Sequence, residues 1–356
     1  MKFRNFLFIL FACSTITVSI PVIAKPSLKN RISNACVGYL ESNLDLQFVK
    51  SRKGTKLNIQ LLQNQSFANK LINYLFNSIF GPKLGMNEYN RLIHDMKQTS
   101  STDHIFVQYQ RAFKSQFHLM ENSMNAIPKN GPLIIVANHP GAGWEIFSIV
   151  EMVLKTRSDF KVFANEVLAS IPGLGDHFIP VPIFNKRTNS ALKQAEEHLF
   201  NGGVLIMFPA AEVSSYEVFD NESNSHIVDG PWSSAIIKNI ERINPQVVPV
   251  FVNTRPTNRW LSARNSSGSD ILRVVNHFGE EIFSHYSEDL PMAIGRAVYV
   301  SDYTKEFELR ELFPMLRRAT YLLNDLDLPE VLAGQNLRKI EKYPEMNRQG
   351  ARLWLP

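Results

Sequence analysis

Cysteine is nearly absent from this sequence of 356 residues, which contains only Cys13 and Cys36. Cys13 lies in an apolar N-terminal segment, so loss of that segment leaves a single cysteine without a partner in the chain. A structural zinc site of the cysteine type needs several thiolates, which two cysteines do not supply. Disulfide-framed proteins and cysteine-metal proteins are therefore excluded.

A strong excess of one charge is also missing. The 38 basic and 33 acidic residues give a net charge of only +5, without the concentrated basic stripe of a nucleic-acid-binding protein. The hydrophobic content of 44% and charged content of 20% exclude a disordered or collagen-like chain. We therefore expect one large folded domain or two small ones, with no nucleic-acid partner. The mild positive excess is compatible with an anionic lipid surface.

Long apolar runs are absent except near the N terminus, where residues 6–24 carry no charge and follow the basic segment 2–5. The small residue Ala24 before Lys25 is typical of a cleaved secretory signal, but the run is also long enough for an uncleaved membrane anchor. A lipoprotein signal ending at Cys13 is a weaker alternative. Both leading interpretations place the remainder outside the cytoplasm, in the periplasm, the medium or a lumen.

The rest of the chain divides into regions of different pattern. Aromatic residues at helical spacing, such as Phe106, Tyr109, Phe113 and Phe117, predict a helical N-terminal region. The apolar stretch 71–80 is the candidate for contact with a membrane surface. The predicted organisation is a signal or anchor (1–24), a helical region (25–128), an α/β domain (129–330) and a polar C-terminal tail (331–356).

From residue 131 onward, short apolar runs alternate with amphipathic segments. This alternation predicts an α/β fold with a mostly parallel central sheet flanked by helices. Two polar stretches, 214–230 and 254–270, are predicted to be loops. The predicted strands are 133–137, 161–164, 178–181, 204–208, 247–252 and 293–300, and the predicted helices lie near 145–156, 188–200, 231–242 and 306–324.

A polar corner that contains two glycines follows the first predicted strand and reads NHPGAGWE. Open α/β sheets bind ligands at the carboxyl ends of their strands. An imidazole is well suited to proton transfer near neutral pH, and a tight turn brings an acid six positions later back onto it. A loop histidine beside a glutamate at a helix N terminus is the non-catalytic alternative. The candidates here are Asn138, His139, Gly141, Gly143 and Glu145.

A second cluster, FPAAEVSS at 208–215, follows the predicted strand 204–208. Exposed backbone amides in turns of small residues bind anions. Glu212 or Ser214 is a candidate contact for an acceptor, together with Phe208 and Pro209. An ordinary exit from a strand is the alternative.

At these clusters the chain resembles the lysophospholipid/glycerolipid acyltransferase superfamily, and more closely its hemolysin-like branch, which includes ornithine-lipid acyltransferases. NHPGAGWE resembles the first motif of that branch, and FPAAEVSS resembles its third. FANEVLASIPGLGDHFIPV (163–181) resembles the second region, and DGPWSSAIIKNI (229–240) the region after the third motif. The resemblance covers roughly residues 80–300, and the order of several weak motifs makes it more specific than any single one.

The resemblance implies transfer of a fatty acyl chain from a thioester donor, acyl-CoA or acyl carrier protein, to the hydroxyl or amine of a lysolipid or amino-lipid precursor. In that scheme His139 deprotonates the acceptor, Glu145 orients the imidazole, and backbone amides near Gly141 and Gly143 stabilise the oxyanion. The donor is a co-substrate, and neither a permanently bound cofactor nor a metal is expected. An exported lipid-binding protein on a non-catalytic scaffold and a thioesterase or esterase are the alternatives.

The sequence departs from the family pattern at three places. Glu145 stands where aspartate is usual, and Ala211 replaces a glycine, which suggests a reshaped acceptor loop. Where glycerol-phosphate members carry an arginine, Phe178-Ile179 is followed by proline, which argues against glycerol 3-phosphate as acceptor. Lys186 and Arg187 in the next loop are the candidate substitutes for the missing phosphate clamp.

An export signal conflicts with a cytosolic thioester donor, since acyl-CoA and acyl carrier protein are cytosolic in bacteria. Residues 6–24 as a monotopic anchor would leave the domain on the cytoplasmic face. A lumenal donor, a phospholipid donor, or loss of catalysis with retention of lipid binding also resolves the conflict. The sequence leaves these four explanations open.

Overall fold

The computed structural model describes residues 47–50, 56–60, 70, 73–74, 77–78, 81–98, 102–120, 127–171, 173–181, 189–219, 224–232, 234, 237–266, 270–325 and 350–356. The predicted signal or anchor at 1–24 therefore lies outside the described residues. None of the helices in the described part of the chain has the length and apolar character needed to span a bilayer. Within the stretch 71–80, residues 73, 74, 77 and 78 are described as helical, and Tyr74 is 68% exposed. Its contact with lipid stays a prediction.

The N-terminal region contains strands as well as the helices that the aromatic spacing predicts. An antiparallel pair, β1 and β2, precedes helices α1 and α2, and Phe117 lies in a strand, β3, rather than in a helix. The helical spacing does not decide the structure there, because β3 pairs in parallel with the distant strand Asp289–Ile294. The elements are β1 (Gln47–Lys50), β2 (Leu57–Gln60), α1 (Met86–Gln98), α2 (Ile105–Ala112) and β3 (Gln116–Leu119).

Strands and helices alternate from residue 133 onward, as the sequence predicts. The elements of the first half are β4 (Leu133–Ala137), α3 (Glu145–Leu154), β5 (Phe160–Asn165), α4 (Glu166–Ala169), β6 (Phe178–Val181), α5 (Asn189–Phe200) and β7 (Val204–Met207). Those of the second half are β8 (Ser215–Phe219), β9 (Asn224–Val228), α6 (Ile237–Ile243), β10 (Gln246–Val252), α7 (Asn258–Ser266), α8 (Asp270–Ser284), β11 (Asp289–Ile294), β12 (Val298–Tyr299), α9 (Val300–Tyr303) and α10 (Leu312–Leu322).

The central sheet has the strand order β3-β11-β10-β4-β7-β5-β6, with β12 added beside β10. The neighbours from β10 to β6 are parallel, whereas β11 and β12 run antiparallel to β10. The predicted fold class, α/β with a mostly parallel sheet flanked by helices, is confirmed. β4 lies in the middle of the sheet, so the loop that follows it has neighbours on both sides.

Both faces of the sheet are covered, which explains why its strands read as continuous apolar runs. In β4, Leu133, Ile135 and Ala137 join one buried cluster with α2 and α3, while Ile134 and Val136 join a second with α5 and α10. All five residues of β4 have no exposed surface. This burial fixes the strand in register and gives its carboxyl end a rigid support.

Three predicted segments differ from the structure. Residues 214–230, predicted as a loop, contain the hairpin β8–β9, and residues 254–270, also predicted as a loop, contain α7. The strand predicted at 293–300 is divided into the end of β11, the two-residue β12 and the start of α9. These polar or short elements have weak periodicity of their own and depend on pairing or packing with distant segments.

The last seven residues, inside the predicted polar tail, pack into the domain. Trp354 has no exposed surface, and its indole N–H donates to the carbonyl of Val247 at 3.2 Å. Its own carbonyl accepts from the backbone N–H of Arg296 at 2.7 Å. The C-terminal end therefore contributes to the second buried cluster, beneath β10.

Candidate active site

The candidate residues meet at the carboxyl ends of three adjacent strands. β4 lies between β7 and β10 and is parallel to both, so the loops that leave these strands emerge at one edge of the sheet. The loop after β4 carries residues 138–145, and the loop after β7 carries residues 208–215. The sheet thus brings together the two clusters singled out in the sequence.

His139 and Glu145 form a direct pair. The imidazole Nδ1 lies 2.6 Å from Oε1 of Glu145, the first residue of α3. The Glu145 side chain has no exposed surface, whereas that of His139 is 17% exposed. One end of the imidazole is therefore held by a buried carboxylate while the ring keeps access to the surface.

The pair is electrostatically coupled. Burial lowers the pKa of His139, but the charge and hydrogen bond of Glu145, with a smaller effect of Asp229, raise it more, so this pKa lies above its usual value. Burial raises the pKa of Glu145, yet His139 and the nearby N–H donors lower it more, and this pKa lies below its usual value. Glu145 is thus a carboxylate that makes the imidazole a stronger base.

The turn between the two residues is wrapped around the carboxylate. The backbone N–H of Gly143 donates to Oε2 of Glu145 at 2.9 Å, and that of Gly141 lies 3.4 Å from Oε1. Left-handed backbone at Ala142 (φ 55°) and Gly143 (φ 106°) makes this reversal possible. Both glycine amides are therefore directed at Glu145, rather than at an oxyanion as the resemblance implies.

Gly141 is expected to be essential to this geometry. A Cβ at this position would lie 2.5 Å from Nε1 of Trp144 and 2.8 Å from Oε2 of Glu145, so Gly141→Ala must displace the carboxylate. Because a displacement of about 1 Å costs roughly 100-fold in rate, we expect a loss of catalytic activity of about tenfold to 100-fold. Gly230→Ala is the matched control, since a Cβ there meets no atom within 4 Å. Equal activity of the two variants, with matching circular dichroism, would contradict this expectation.

Asn138 supports the site from below. Its side-chain amide donates to the carbonyl of Val252 at 3.0 Å and accepts from the backbone N–H of Val252 at 2.7 Å. Only 2% of its surface is exposed. Asn138 therefore ties the end of β4 to the end of β10, and this side chain, predicted as a substrate contact, faces the protein interior.

The second loop lies against the imidazole. The ring of Phe208 is 4.7 Å from that of His139, centroid to centroid. Ala211 has φ 59°, the left-handed conformation that a glycine would adopt easily, so this part of the loop keeps the backbone angle that glycine favours. Glu212 is exposed and Pro209 is buried. Of the residues predicted to contact an acceptor in this loop, Phe208 and Glu212 thus keep exposed surface, whereas Pro209 does not.

Ser214 has a different place from the one predicted. It is 1% exposed, its hydroxyl donates to Oδ1 of Asp229 at 2.5 Å, and its backbone N–H donates to the carbonyl of His139 at 2.9 Å. A hydroxyl in this position is not open to an acceptor. Instead, Ser214 ties the loop after β7 to the residue that carries the imidazole.

Asp229 is the central residue that sequence reasoning missed. Its buried carboxylate accepts from the backbone N–H of His139 at 3.0 Å and from Nε1 of Trp232 at 2.9 Å, besides the Ser214 hydroxyl. Burial raises its pKa, although these donors and the charge of His139 act in the opposite direction. The only signal in the sequence is that Asp229 begins the DGPW segment. The resemblance to the acyltransferase superfamily covers this segment but implies no role for it.

The backbone of Asp229 is held in turn by α10. Arg317 donates to the backbone carbonyl of Asp229 from Nε at 3.1 Å and from a terminal nitrogen at 2.6 Å. The backbone N–H of Asp229 donates to the hydroxyl of Tyr321 at 2.7 Å. Arg317 is 3% exposed and Tyr321 is 2% exposed. No local pattern in the sequence points to these two side chains, because both lie in an ordinary amphipathic helix.

Lys186 and Arg187, the predicted substitutes for a phosphate clamp, lie outside the described residues. Among the residues that are described, no group of three or more histidine, cysteine, aspartate or glutamate side chains is arranged to hold a metal ion.

Comparison with known proteins gives the family. A family model described as "Acyltransferase" matches residues 90–328, about two thirds of the chain, and this span contains both loops of the site. The chain belongs to this acyltransferase family. It is an enzyme of the acyl-transferring class. Among the solved structures that the acyltransferase is similar to is the 1-acyl-sn-glycerophosphate (LPA) acyltransferase PlsC from Thermotoga maritima. The two share 16% identity at a TM-score of 0.37, covering 71% of this chain and 95% of that one. No curated protein matches the acyltransferase significantly.

Proposed function

We propose that this acyltransferase moves a fatty acyl chain from a thioester, acyl-CoA or acyl carrier protein, to the hydroxyl or amine of a lysolipid or amino-lipid precursor, with His139 as general base. The observation that carries the proposal is the 2.6 Å contact between Nδ1 of a partly exposed imidazole and the buried carboxylate of Glu145. This is the arrangement that a base needs if its second nitrogen is to accept a proton.

The reaction follows from that geometry. The Nδ1–H of His139 donates a hydrogen bond to the Glu145 carboxylate and keeps its proton, so the lone pair of Nε2 is free to take the proton of the acceptor. The acceptor oxygen or nitrogen attacks the thioester carbonyl as Nε2 of His139 takes its proton. The C–S bond then breaks, and the proton passes from Nε2 to the leaving thiolate. The products are an acylated lipid and a free thiol, and His139 is again neutral.

The pH dependence of the reaction tests the role of Glu145. Because Glu145 raises the pKa of His139, Glu145→Gln lowers that pKa and moves the acid limb of kcat/KM to lower pH. We also expect the rate at the optimum to fall by about tenfold to 100-fold, since the amide favours the wrong imidazole tautomer. Glu145→Asp keeps the charge and should leave the acid limb closer to its wild-type position. An unchanged acid limb in Glu145→Gln would exclude the pair as the base.

The acceptor class is supported by residues around the site. The segments NHPGAGWE and FPAAEVSS resemble the hemolysin-like branch that includes ornithine-lipid acyltransferases, and we propose membership of that branch. In β6, Phe178 and Ile179 are followed directly by Pro180. The enzymes that this chain resembles and that act on glycerol phosphate carry an arginine shortly after the equivalent Phe-Ile pair. We therefore propose an acceptor other than glycerol 3-phosphate, met by Phe208 and Glu212, with Lys186 and Arg187 as further contacts.

We propose a membrane-associated enzyme, with residues 1–24 as its signal or anchor. The identity of the donor decides between the compartments, since acyl-CoA or acyl carrier protein requires access to a pool of thioesters. A phospholipid donor is compatible with an exported enzyme.

The experiment supplies the full chain, in vesicles or detergent, with labelled acyl-CoA, acyl carrier protein or phospholipid as donor. Each donor is paired with lysophospholipid and ornithine acceptors, and products are identified by lipid mass spectrometry. We expect a new acylated lipid with one thioester donor. Free fatty acid formed without any acceptor would instead indicate a thioesterase. Absence of product with every donor, from folded protein that binds vesicles, would favour a lipid-binding protein on a non-catalytic scaffold.

A further inference from the structure

A second group of buried charges lies beside the candidate active site and has no part in the reaction above. His285, in the turn after α8, has a side chain only 4% exposed. It lies between Glu281, whose side chain is 1% exposed, and Glu288, whose side chain is 36% exposed. Burial of two ionisable groups, His285 and Glu281, is costly unless charges compensate one another.

The contacts of the ring identify its charge. Nε2 of His285 is 3.4 Å from Oε1 of Glu281, and Nδ1 contacts Oε2 of Glu288. A neutral imidazole has one N–H and would present a lone pair to one of these carboxylates, whereas the imidazolium donates to both. Burial lowers the pKa of His285, but the two glutamates raise it more, to about 9. The ring is therefore charged at neutral pH.

The two carboxylates are anchored in the loop that follows β10. The hydroxyl of Thr254 donates to Oε1 of Glu288. The backbone N–H of Thr257 donates to Oε1 of Glu281 at 3.0 Å, and its hydroxyl donates to Oε2. Since β10 is the parallel neighbour of β4, this cluster lies at the sheet edge that also carries the His139 loop.

The ring also reaches the turn that carries the proposed base. It stacks on Trp144 with a centroid distance of 5.3 Å and an interplanar angle of 18°, and Trp144 is 1% exposed. A stacked cation over an indole is attractive. Trp144 directly precedes Glu145. The indole Nε1 of Trp144 would lie 2.5 Å from a Cβ at position 141, so only glycine fits there. Burial raises the pKa of Glu288, but His285 and Thr254 lower it more, so this pKa lies below its usual value; the charge of Glu145 opposes them slightly, and the two clusters therefore also interact electrostatically.

We propose that His285, held as a cation between Glu281 and Glu288, is a positioning residue that fixes Trp144 and, through it, the turn that presents Glu145 to His139. The proposal rests on the proposed function, because its consequence is the orientation of that base. The groups that face His285 are Glu281 from α8, Glu288 from the turn, and Trp144 with Glu145 behind it. Loss of the proton on His285 leaves excess negative charge beside Glu145 and weakens the stack on Trp144.

The pH profile of acyl transfer tests this role. We expect kcat of the wild type to fall as pH rises through about 9, where His285 loses its proton. His285→Gln, neutral at every pH, should show a kcat lowered at least fivefold at pH 7.5 and no step near pH 9. Glu288→Gln removes one stabilising carboxylate, so its step should move to lower pH. His94→Gln, on the exposed surface of α1, is the matched control and should resemble the wild type.

The emission of Trp144 gives a readout that does not depend on activity. A protonated imidazole in ring contact quenches indole fluorescence, so the emission of the full chain should rise as pH passes through about 9. Trp144→Phe and His285→Gln should both lack this step. With the step present but no acyl product from any donor, the proposed function fails while the cation over Trp144 stands. A missing emission step, or a His285→Gln variant with the wild-type alkaline limb, overturns the positioning role.

Discussion

Replacing His139 with alanine is expected to lower kcat/KM for acyl transfer by about 100-fold to 10,000-fold, the usual contribution of a general base. The variant removes the imidazole whose Nδ1 contacts Glu145 at 2.6 Å and whose second nitrogen we propose as the proton acceptor. Its removal also leaves the buried carboxylate of Glu145 without its imidazole partner, so circular dichroism is used to verify that the variant is folded. Initial rates of formation of the acylated lipid, measured with the donor and acceptor that the wild type accepts, give the ratio.

His94→Ala provides the comparison for this experiment. The side chain of His94 is 69% exposed on α1, and its Nδ1 lies 3.5 Å from the carboxylate of the neighbouring Asp95. Its loss should change neither the melting temperature nor the rate. Retention of more than about a tenth of wild-type activity by folded His139→Ala would show that another group removes the proton.

Truncation of Trp354 is expected to have the largest effect on stability, with a loss of about 3–5 kcal/mol in the free energy of unfolding. The indole has no exposed surface and is ring-packed against Tyr303 at 5.5 Å between centroids. Alanine would leave a cavity in the second buried cluster and the carbonyl of Val247 without its indole donor. Since a domain is stable by only about 5–15 kcal/mol, this loss is a large share of the total.

Urea unfolding of the full chain, followed by circular dichroism, measures the change. Trp354→Phe keeps most of the buried surface and should cost less than the alanine variant. Phe200→Ala is the control, because this aromatic side chain is 71% exposed at the end of α5. A Trp354→Ala variant within about 1 kcal/mol of the wild type would show that the C-terminal residues are not part of the core.

The sequence predicts the buried strands best. The bounds of β4 and β6 agree with those expected, because a strand covered on both faces is an apolar run with polar ends. The hairpin of β8 and β9 and the strand β3 escape prediction, since polar or half-exposed strands have little signal of their own. Backbone hydrogen bonds to their partner strands stabilise them as strands, and the local sequence does not show this pairing.

The candidate site is predictable only in its short-range part. His139 and Glu145 are six positions apart, so a turn with glycines indicates their contact. Asp229 contacts His139 across 90 positions, and Arg317 contacts Asp229 across 88. Bonds over such distances follow from the order of strands in the sheet and from the docking of α10. A single sequence does not reveal them.

The attachment of Asp229 to α10 has a consequence for when the candidate site is assembled during synthesis of the chain. A ribosome adds about 5–20 residues per second, and the N-terminal part of a domain is available to fold first. A nascent chain that ends before Arg317 already contains His139, Glu145 and Asp229, but the Asp229 peptide lacks the partners that α10 supplies. These contacts of Asp229 therefore form only after α10 has been synthesised. Shortened products that stop before α10 carry both motifs without an assembled site.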